Sequence, residues 1–599
     1  MGITGKQFLG KQYYRPGARG TFRAKQQTGG TGSDLTTLIL VGASSNGNYF
    51  GDTSLTQEEK VMSFSNFEDA YSVLGNGDLA DAVKASYPPS RDVRFTGPQI
   101  VKCINVCNNV RAAAIAPSVT VGVNHTVQAS IPGPLGNTLR YNVSNSGTVL
   151  EYGDSKGTTQ TQPIEADIMT IQYVGNGTAA TLTVSLTQLE TTISGQSDGS
   201  LSLTVNFSDY STIGDLAEYI NSQIGYSCTI LGSPDFLCEN LDSVLFADAV
   251  SILTNTTLTG LYFSQKNILE ASGLFKLVTG TSQKPLADTP LFVYLSGGLT
   301  GTASTSDYLD AIDFIKETSE SGFFLNVLTN STAVAARLAD FAQWANSPEG
   351  SREVFVGWGV DTTLTFDQRL ELTRQINSEF MVVGGVKVEN YKADGITKKV
   401  FDGWMLAVIH NAIKASANMR ETPTYKDLNI LSAPEKLSPG QIDRANQTGM
   451  LVIDRKPNSG PFKINYALTA YQKANEILNQ SSTVCTALAM VKYLREQLEA
   501  NFIGEVPVDP STDNGTFTDS DIRTFVNNLI KLDFVQRFGY LSRNIYTGEG
   551  AFDFNYTIER DGGVVYFRFP NGNVVSPINF MFFLLELNLI RGTSTGGNQ

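Results

Sequence analysis

At 599 residues, with 41% hydrophobic, 10% aromatic and 17% charged side chains, the chain is long enough for about three or four domains and carries no charge-rich disordered block. Five cysteines (Cys103, Cys107, Cys228, Cys238, Cys485) are too few and scattered for a disulfide scaffold; His125 and His410, its only histidines, offer too few ligands for a zinc site or a histidine-based active site. Met1–Gly10 is polar where a signal peptide would be apolar, and no apolar run reaches the roughly 18 residues of a membrane span, so a soluble, cytoplasmically made protein without membrane insertion is expected.

The net charge of −14 is unevenly placed. Lys6, Lys11, Arg15, Arg19, Arg23 and Lys25 precede the first acid, Asp34, so an arm of +6 leads a body of −20. Nucleic-acid binding needs a basic domain rather than six charges on an acidic protein, so no nucleic-acid partner is expected. The arm's natural counterpart is the acidic body of neighbouring copies.

Residues 1–33 are rich in Gly, Gln, Lys and Arg around Tyr13-Tyr14-Arg15-Pro16-Gly17; they cannot build a core and read as an extended arm. Leu35–Gly42 is a buried strand. Ser65 and Glu68 then have capping-box spacing at the head of a helix, and Gly77–Ala85 reads as a second helix stopped by Pro88-Pro89. Ile100–Val106 closes a strand–helix–helix–strand unit, with Cys103 and Cys107 as buried free thiols. From about Ala113 to Leu286 short alternating strands such as Thr181–Leu186 and Leu201–Asn206 lie between Gly, Asn and Ser turns, with one helix at Ile213–Ile220. This stretch reads as a β-rich, outward-facing insertion with room for two small lobes.

Alternation of α and β patterns resumes near Pro290. Strands are expected at Leu291–Leu295, Phe323–Leu328, Val354–Gly357 and Met381–Val383, and helices at Asp307–Lys316, Ala333–Asn346 and Phe366–Ile376. Phe401–Ala417 is a mostly apolar helix containing His410. Helices at Thr483–Asn501 and Asp519–Lys531 lead to a meander of Ala551–Ile558, Val564–Phe569 and a terminal strand, Ile578–Ile590. That strand carries Met581, Phe583, Leu585, Leu587 and Leu589 on one face and Ile578, Phe580, Phe582 and Leu584 on the other. Burying one large apolar side chain is worth about 1.5–3 kcal/mol, so neither face rests against water without cost. Such a strand is either the centre of its own sheet or a partner for another molecule's sheet. The second is expected, in an assembly protein that exchanges strands with its neighbours.

No constellation points to catalysis. Ser296-Gly297-Gly298-Leu299-Thr300-Gly301 follows a strand but lacks the lysine of a phosphate loop and the spacing of a dinucleotide fold, and reads as a structural turn. His410, with Leu406 one turn before and Ile413 three residues after, reads as a satisfied core histidine. Asp402, Glu421 and Asp454 show no paired spacing for acid–base work. The chain reads as building material, neither an enzyme nor a cofactor binder.

Several segments, in order, resemble the contractile tail sheath proteins of myophages, and more distantly pyocin and type VI secretion sheaths. They are the Arg15-Pro16-Gly17 arm leading into Leu38–Gly42, the Phe64–Ala70 and Asp78–Val83 helices, and the Pro134-Leu135-Gly136-Asn137-Thr138-Leu139 turn. Leu295–Gly301 with Asp307-Tyr308 is similar to the family's glycine loop, with Thr300 where an acidic or amide residue is usual; Tyr493–Gly504 and the meander resemble the C-terminal domain of long sheaths. The resemblance implies a multidomain α/β (α+β) fold: a layered α/β sheath core, a β-rich inserted domain and extended N- and C-terminal arms. The expected boundaries are an arm at 1–33, a core split into 34–112 and 287–440, the insertion at 113–286, a C-terminal domain at 441–575 and a terminal strand at 576–599.

The same resemblance implies six-subunit rings stacked around a tail tube protein and bounded by baseplate and tail terminator proteins. They would be knitted by arms around Tyr13, Tyr14, Arg15, Arg19 and Arg23 and by the face Met581, Phe583, Leu585, Leu587 and Leu589. Assembly in the host cytoplasm and residence in the virion follow, with contraction driving the tube through the host envelope. A secretion-system or pyocin-like sheath is the alternative within this class. An extracellular shell or adhesin would instead show a secretion signal and β modules throughout.

Overall fold

The computed structural model describes residues 6–8, 11–13, 33–155, 157, 159–164, 166–455, 460–473, 475–503, 517–544, 547–561, 564–569 and 572–577. Strand β1 (Thr37–Gly42) is buried along its whole length, as its unbroken apolar run requires. Its side chains alternate: Leu38 and Leu40 enter one hydrophobic core, Ile39 and Val41 the other. Around it lies a seven-stranded sheet with β2 (Met62–Phe64), β3 (Ile100–Asn105), β4 (Phe324–Val327), β5 (Phe355–Gly359), β6 (Met381–Gly384) and β7 (Met450–Leu451), in the order β7-β6-β5-β4-β1-β3-β2. All pairs are parallel except β2–β3. The chain enters at the centre, builds one edge, leaves for the insertion, and returns on the other side of β1 to build outward.

One face of this sheet is covered by α1 (Phe67–Leu74), α2 (Asp78–Ser86) and, beyond the insertion, α6 (Trp404–Ser416); the other by α3 (Thr305–Thr318) and α4 (Thr332–Ala345). Helix α5 (Phe366–Ile376) links β5 to β6 and sends Leu370 to the first core, Leu372 and Ile376 to the second. Capping boxes start α3 (Ser304 with Asp307) and α5 (Thr365 with Gln368). The cap of α1 falls one residue later than the sequence pattern placed it: Asn66, not Ser65, accepts from the backbone of Asp69. Asn is as good a cap as Ser, and the Ser65–Glu68 spacing competed with it.

The C-terminal portion grows onto the first core rather than forming a separate one. Helix α7 (Pro439–Thr448) leads into β7. Helices α8 (Ser481–Phe502) and α9 (Asp519–Asn528) follow, and α9 continues as a wider-wound turn through Leu529–Arg537. Cys485 and Leu488 of α8, Ile522 and Val526 of α9, and Phe534 and Tyr540 share one cluster with β1 and α6.

The insertion is two nested lobes, each with its own core. The proximal lobe holds a four-stranded sheet (Leu139–Ser144, Val149–Asp154, Gln160–Pro163, Val293–Tyr294), a three-stranded sheet (Ala113–Pro117, Asn124–Ala129, Phe275–Val278) and a helix, Leu261–Ala271. Strands between Asp167 and Thr259 and the helix Ile213–Ser222 form the distal lobe. The strand expected to reopen the α/β core at Leu291–Leu295 is instead the short Val293–Tyr294, which pairs antiparallel with Tyr141 and Arg140 of the proximal lobe. That short strand therefore extends the proximal lobe's sheet and not the core's. A short apolar run does not say which sheet will receive it.

Candidate functional site

The residues screened for chemistry are occupied structurally. All five cysteines are buried free thiols. His410 is fully buried, its Nδ1 2.9 Å from Asn411 Oδ1 and its Nε2 2.9 Å from Ser481 Oγ. Burial pushes its pKa down to about 3, so the ring is neutral and links α6 to the start of α8. His125 Nε2 lies 2.7 Å from the Lys284 carbonyl, and its Nδ1 accepts from the Gly280 N–H, inside the proximal lobe. Among the described residues no three His, Cys, Asp or Glu side chains converge as metal ligands, and no helix is long and apolar enough to cross a membrane.

What the structure does build is a set of joints. The two loops that carried the family resemblance around the insertion meet each other in space. Asn137, in the turn Pro134–Thr138, grips Gly298 from both sides: its Nδ2 donates to the Gly298 carbonyl and its Oδ1 accepts the Gly298 N–H, each at 2.9 Å. Gly298 has no room for a side chain, since a Cβ would stand 2.4 Å from the Gly133 carbonyl oxygen. The Gly301 N–H donates to Asn109 Oδ1 (2.8 Å) and the Leu135 N–H to Asn46 Oδ1 (2.9 Å). Arg111 donates to the carbonyls of Ala129 and Ser130 and to Asn48 Oδ1. Backbone and amide groups from β1's exit loop, both insertion crossings and the glycine loop thus close one hydrogen-bonded collar, which docks the proximal lobe on the core. The loop is a structural turn, as its sequence implied. That Asn109 and Asn137 hold it was not legible, because an Asn in a turn more often bonds its own backbone.

A second joint runs through α6, buried from Trp404 to Ala415. Asn411 Nδ2 donates to Asn326 Oδ1 of β4 (2.8 Å), so the polar seam extends from the sheet through Asn411 and His410 to Ser481. One turn on, Lys414 is fully buried and donates to the carbonyls of Met419 and Glu421. Burial brings its pKa down to about 8, with the Cys485 thiol of α8 among its neighbours.

The chain ends carry the residues proposed for assembly. Lys6–Phe8 pairs antiparallel with Lys11–Tyr13, so the arm begins as a small hairpin whose last strand residue is Tyr13. Tyr14, Arg15, Arg19 and Arg23 lie outside the described residues. Near the other end, Thr557–Asp561 and Val564–Arg568 form a two-stranded antiparallel ribbon, and among the described residues neither strand has another partner. Paired strands leave two outer edges able to accept further strands. Ser576 and Pro577 line a cleft of about 530 Å³ with Tyr466, Gln472 and Gln480; Met581, Phe583, Leu585, Leu587 and Leu589, beyond it, also lie outside the described residues.

Comparison with known proteins bears on the whole chain at once. No family model matches it. The tail sheath protein of Bacillus phage SP01 is 25% identical over 526 residues, spanning 84% of this chain and 86% of that one. Over most of its length the chain is similar to a phage tail sheath protein. A putative tail sheath protein of Enterococcus phage phiEF24C is 23% identical over 546 residues, 87% of this chain and 90% of its own length. The solved sheath tail protein of Desulfitobacterium hafniense superposes with a TM-score of 0.50 at 13% identity, covering 94% of this chain and 97% of that one, which shows a shared sheath-protein fold.

Proposed function

We propose that the chain is the contractile sheath subunit of a phage tail. The observation that carries this reading is similarity to tail sheath proteins over 84% and 87% of this chain and 86% and 90% of theirs. Copies would stack as six-subunit rings around a tail tube protein, between a baseplate and a tail terminator, assembled in the host cytoplasm and carried in the virion. The basic arm and the apolar terminal segment are the proposed links between copies. Support comes from the ribbon Thr557–Arg568, whose outer edges lack partners among the described residues, and from the opposite charges of arm and body. Contraction would be a relaxation of the lattice from a longer to a wider arrangement, with strand-linked arms as hinges. Adhesin and secreted-shell readings fit worse, because the core is a parallel α/β sheet rather than β modules.

Electron microscopy of the concentrated, purified protein tests the reading: long helical tubes are expected, and a field of small globules would refute it. Removing residues 1–32 or 579–599 should leave a folded core that no longer polymerises. Normal tubes from both truncations would end the arm hypothesis while leaving the sheath reading standing.

A further inference from the structure

The distal lobe differs from the rest of the chain in charge. Between Lys156 and Lys266 there is no lysine, arginine or histidine, whereas eleven carboxylates occur. At the chain's overall count of 44 basic residues, about eight would be expected in a stretch of that length. Ten of the carboxylates, from Asp167 to Asp248, belong to the lobe, and eight are exposed, among them Asp209, Glu218, Asp235 and Glu239. Among the described residues only Asp248 has an ion pair, with Lys284 of the proximal lobe at 3.4 Å. Asp242 is buried and caps the proximal lobe's helix Leu261–Ala271, accepting from the Leu261 and Tyr262 N–H groups at 2.9 and 2.8 Å.

The lobe is also separable. Its apolar cluster is its own, and its two crossings meet: Asp167 pairs with Thr259, and the Gly260 N–H donates to the Ala166 carbonyl at 2.9 Å. Nothing in the α/β core depends on it for cover. Two such lobes, uniformly negative, repel on approach. In a ring, the spacing between copies grows with distance from the axis, so repulsion is least when the lobes stand outside. Each assembled particle would then present a shell of fixed negative charge, felt over about 10 Å at 0.1 M salt and about 30 Å at 0.01 M.

We propose that the distal lobe makes no lattice contact and serves as a polyanionic spacer that keeps assembled particles apart. The claim about particles rests on the sheath reading. Two variants test it. One carries Asp209→Asn, Glu218→Gln, Asp235→Asn and Glu239→Gln. The other deletes residues 167–259, joining Ala166 to Gly260 through two glycines. Both should form tubes at the wild-type yield. At about 10 mM salt, wild-type tubes should stay separate in micrographs, whereas both variants bundle with a several-fold rise in turbidity. Added Mg²⁺ should bundle the wild type as well.

Variant tubes as well dispersed as wild type would overturn the spacer role. So would a variant that keeps its circular dichroism and the core's melting point yet fails to polymerise, since the lobe would then carry a lattice contact. Should wild-type protein form no tubes at all, the sheath reading fails, and light scattering of the dispersed full-length chain still decides the point. Its second virial coefficient at low salt should be positive and fall markedly in the substituted variant. Equal values would remove the spacer.

Discussion

Lys414 sits in the middle of an apolar helix with its ammonium group fully enclosed, held by two backbone carbonyls and, among the described residues, no carboxylate. The unfolded chain keeps this lysine protonated up to about pH 10.5, whereas the folded chain releases the proton near 8. Between those values the unfolded state binds more protons, so stability rises with pH; below about 8 the full cost of burying the charge is felt. In Lys414→Met this dependence should vanish. Melting points measured from pH 7 to 10 should show the wild type gaining on the variant as pH rises; parallel curves would contradict the burial of a charged amine. The fate of His410 as a neutral core residue was legible from its apolar neighbours at helical spacing. Lys414 was not, because a lysine in a helix usually snorkels to water, and here the carbonyls of Met419 and Glu421, in the loop after α6, take its ammonium group instead.

At the scale of elements, α6 is the piece on which the fold turns. Its first residues rest directly on the ends of β5 and β6: a Cβ at Gly359 would lie 1.7 Å from the Trp404 nitrogen, and one at Gly384 would lie 1.9 Å from the Gly403 carbonyl oxygen. No flexible side chain can give way there, since the obstacles are backbone. Gly359→Ala should therefore cost about 3 kcal/mol, the upper part of the range for overpacking. Chemical denaturation of the full chain would read this, and a loss below about 1 kcal/mol would mean that α6 can lift off the sheet cheaply. The helix itself was expected at Phe401–Ala417, close to the observed Trp404–Ser416. That it packs backbone to backbone on two strand ends was invisible, because glycine at a strand end equally signals a turn.

At the scale of the whole molecule, the α/β core and C-terminal portion share a continuous apolar cluster, whereas each insertion lobe has its own. Calorimetry of the dispersed chain should accordingly resolve more than one transition, with the distal lobe melting apart from the core. A single two-state transition would mean that the collar of Asn46, Asn109, Asn137 and Gly298 couples them far more strongly than its few hydrogen bonds imply.

The chain itself determined the alternation of α and β units, the βα order from β4 to β6, and the β-rich character of the insertion. It also carried the charge asymmetry between arm and body. All of these follow from local periodicity and composition, which need no partner to be read. Tertiary structure alone decided that Val293–Tyr294 joins the inserted lobe and that Met450–Leu451 extends the core sheet. It also decided that the C-terminal helices merge with the first core, and that two distant turns lock at Gly298. Two or three apolar residues suit any sheet edge equally well, and which edge they meet is set by contacts with segments far away along the chain, Tyr141 for Val293 and Val383 for Met450.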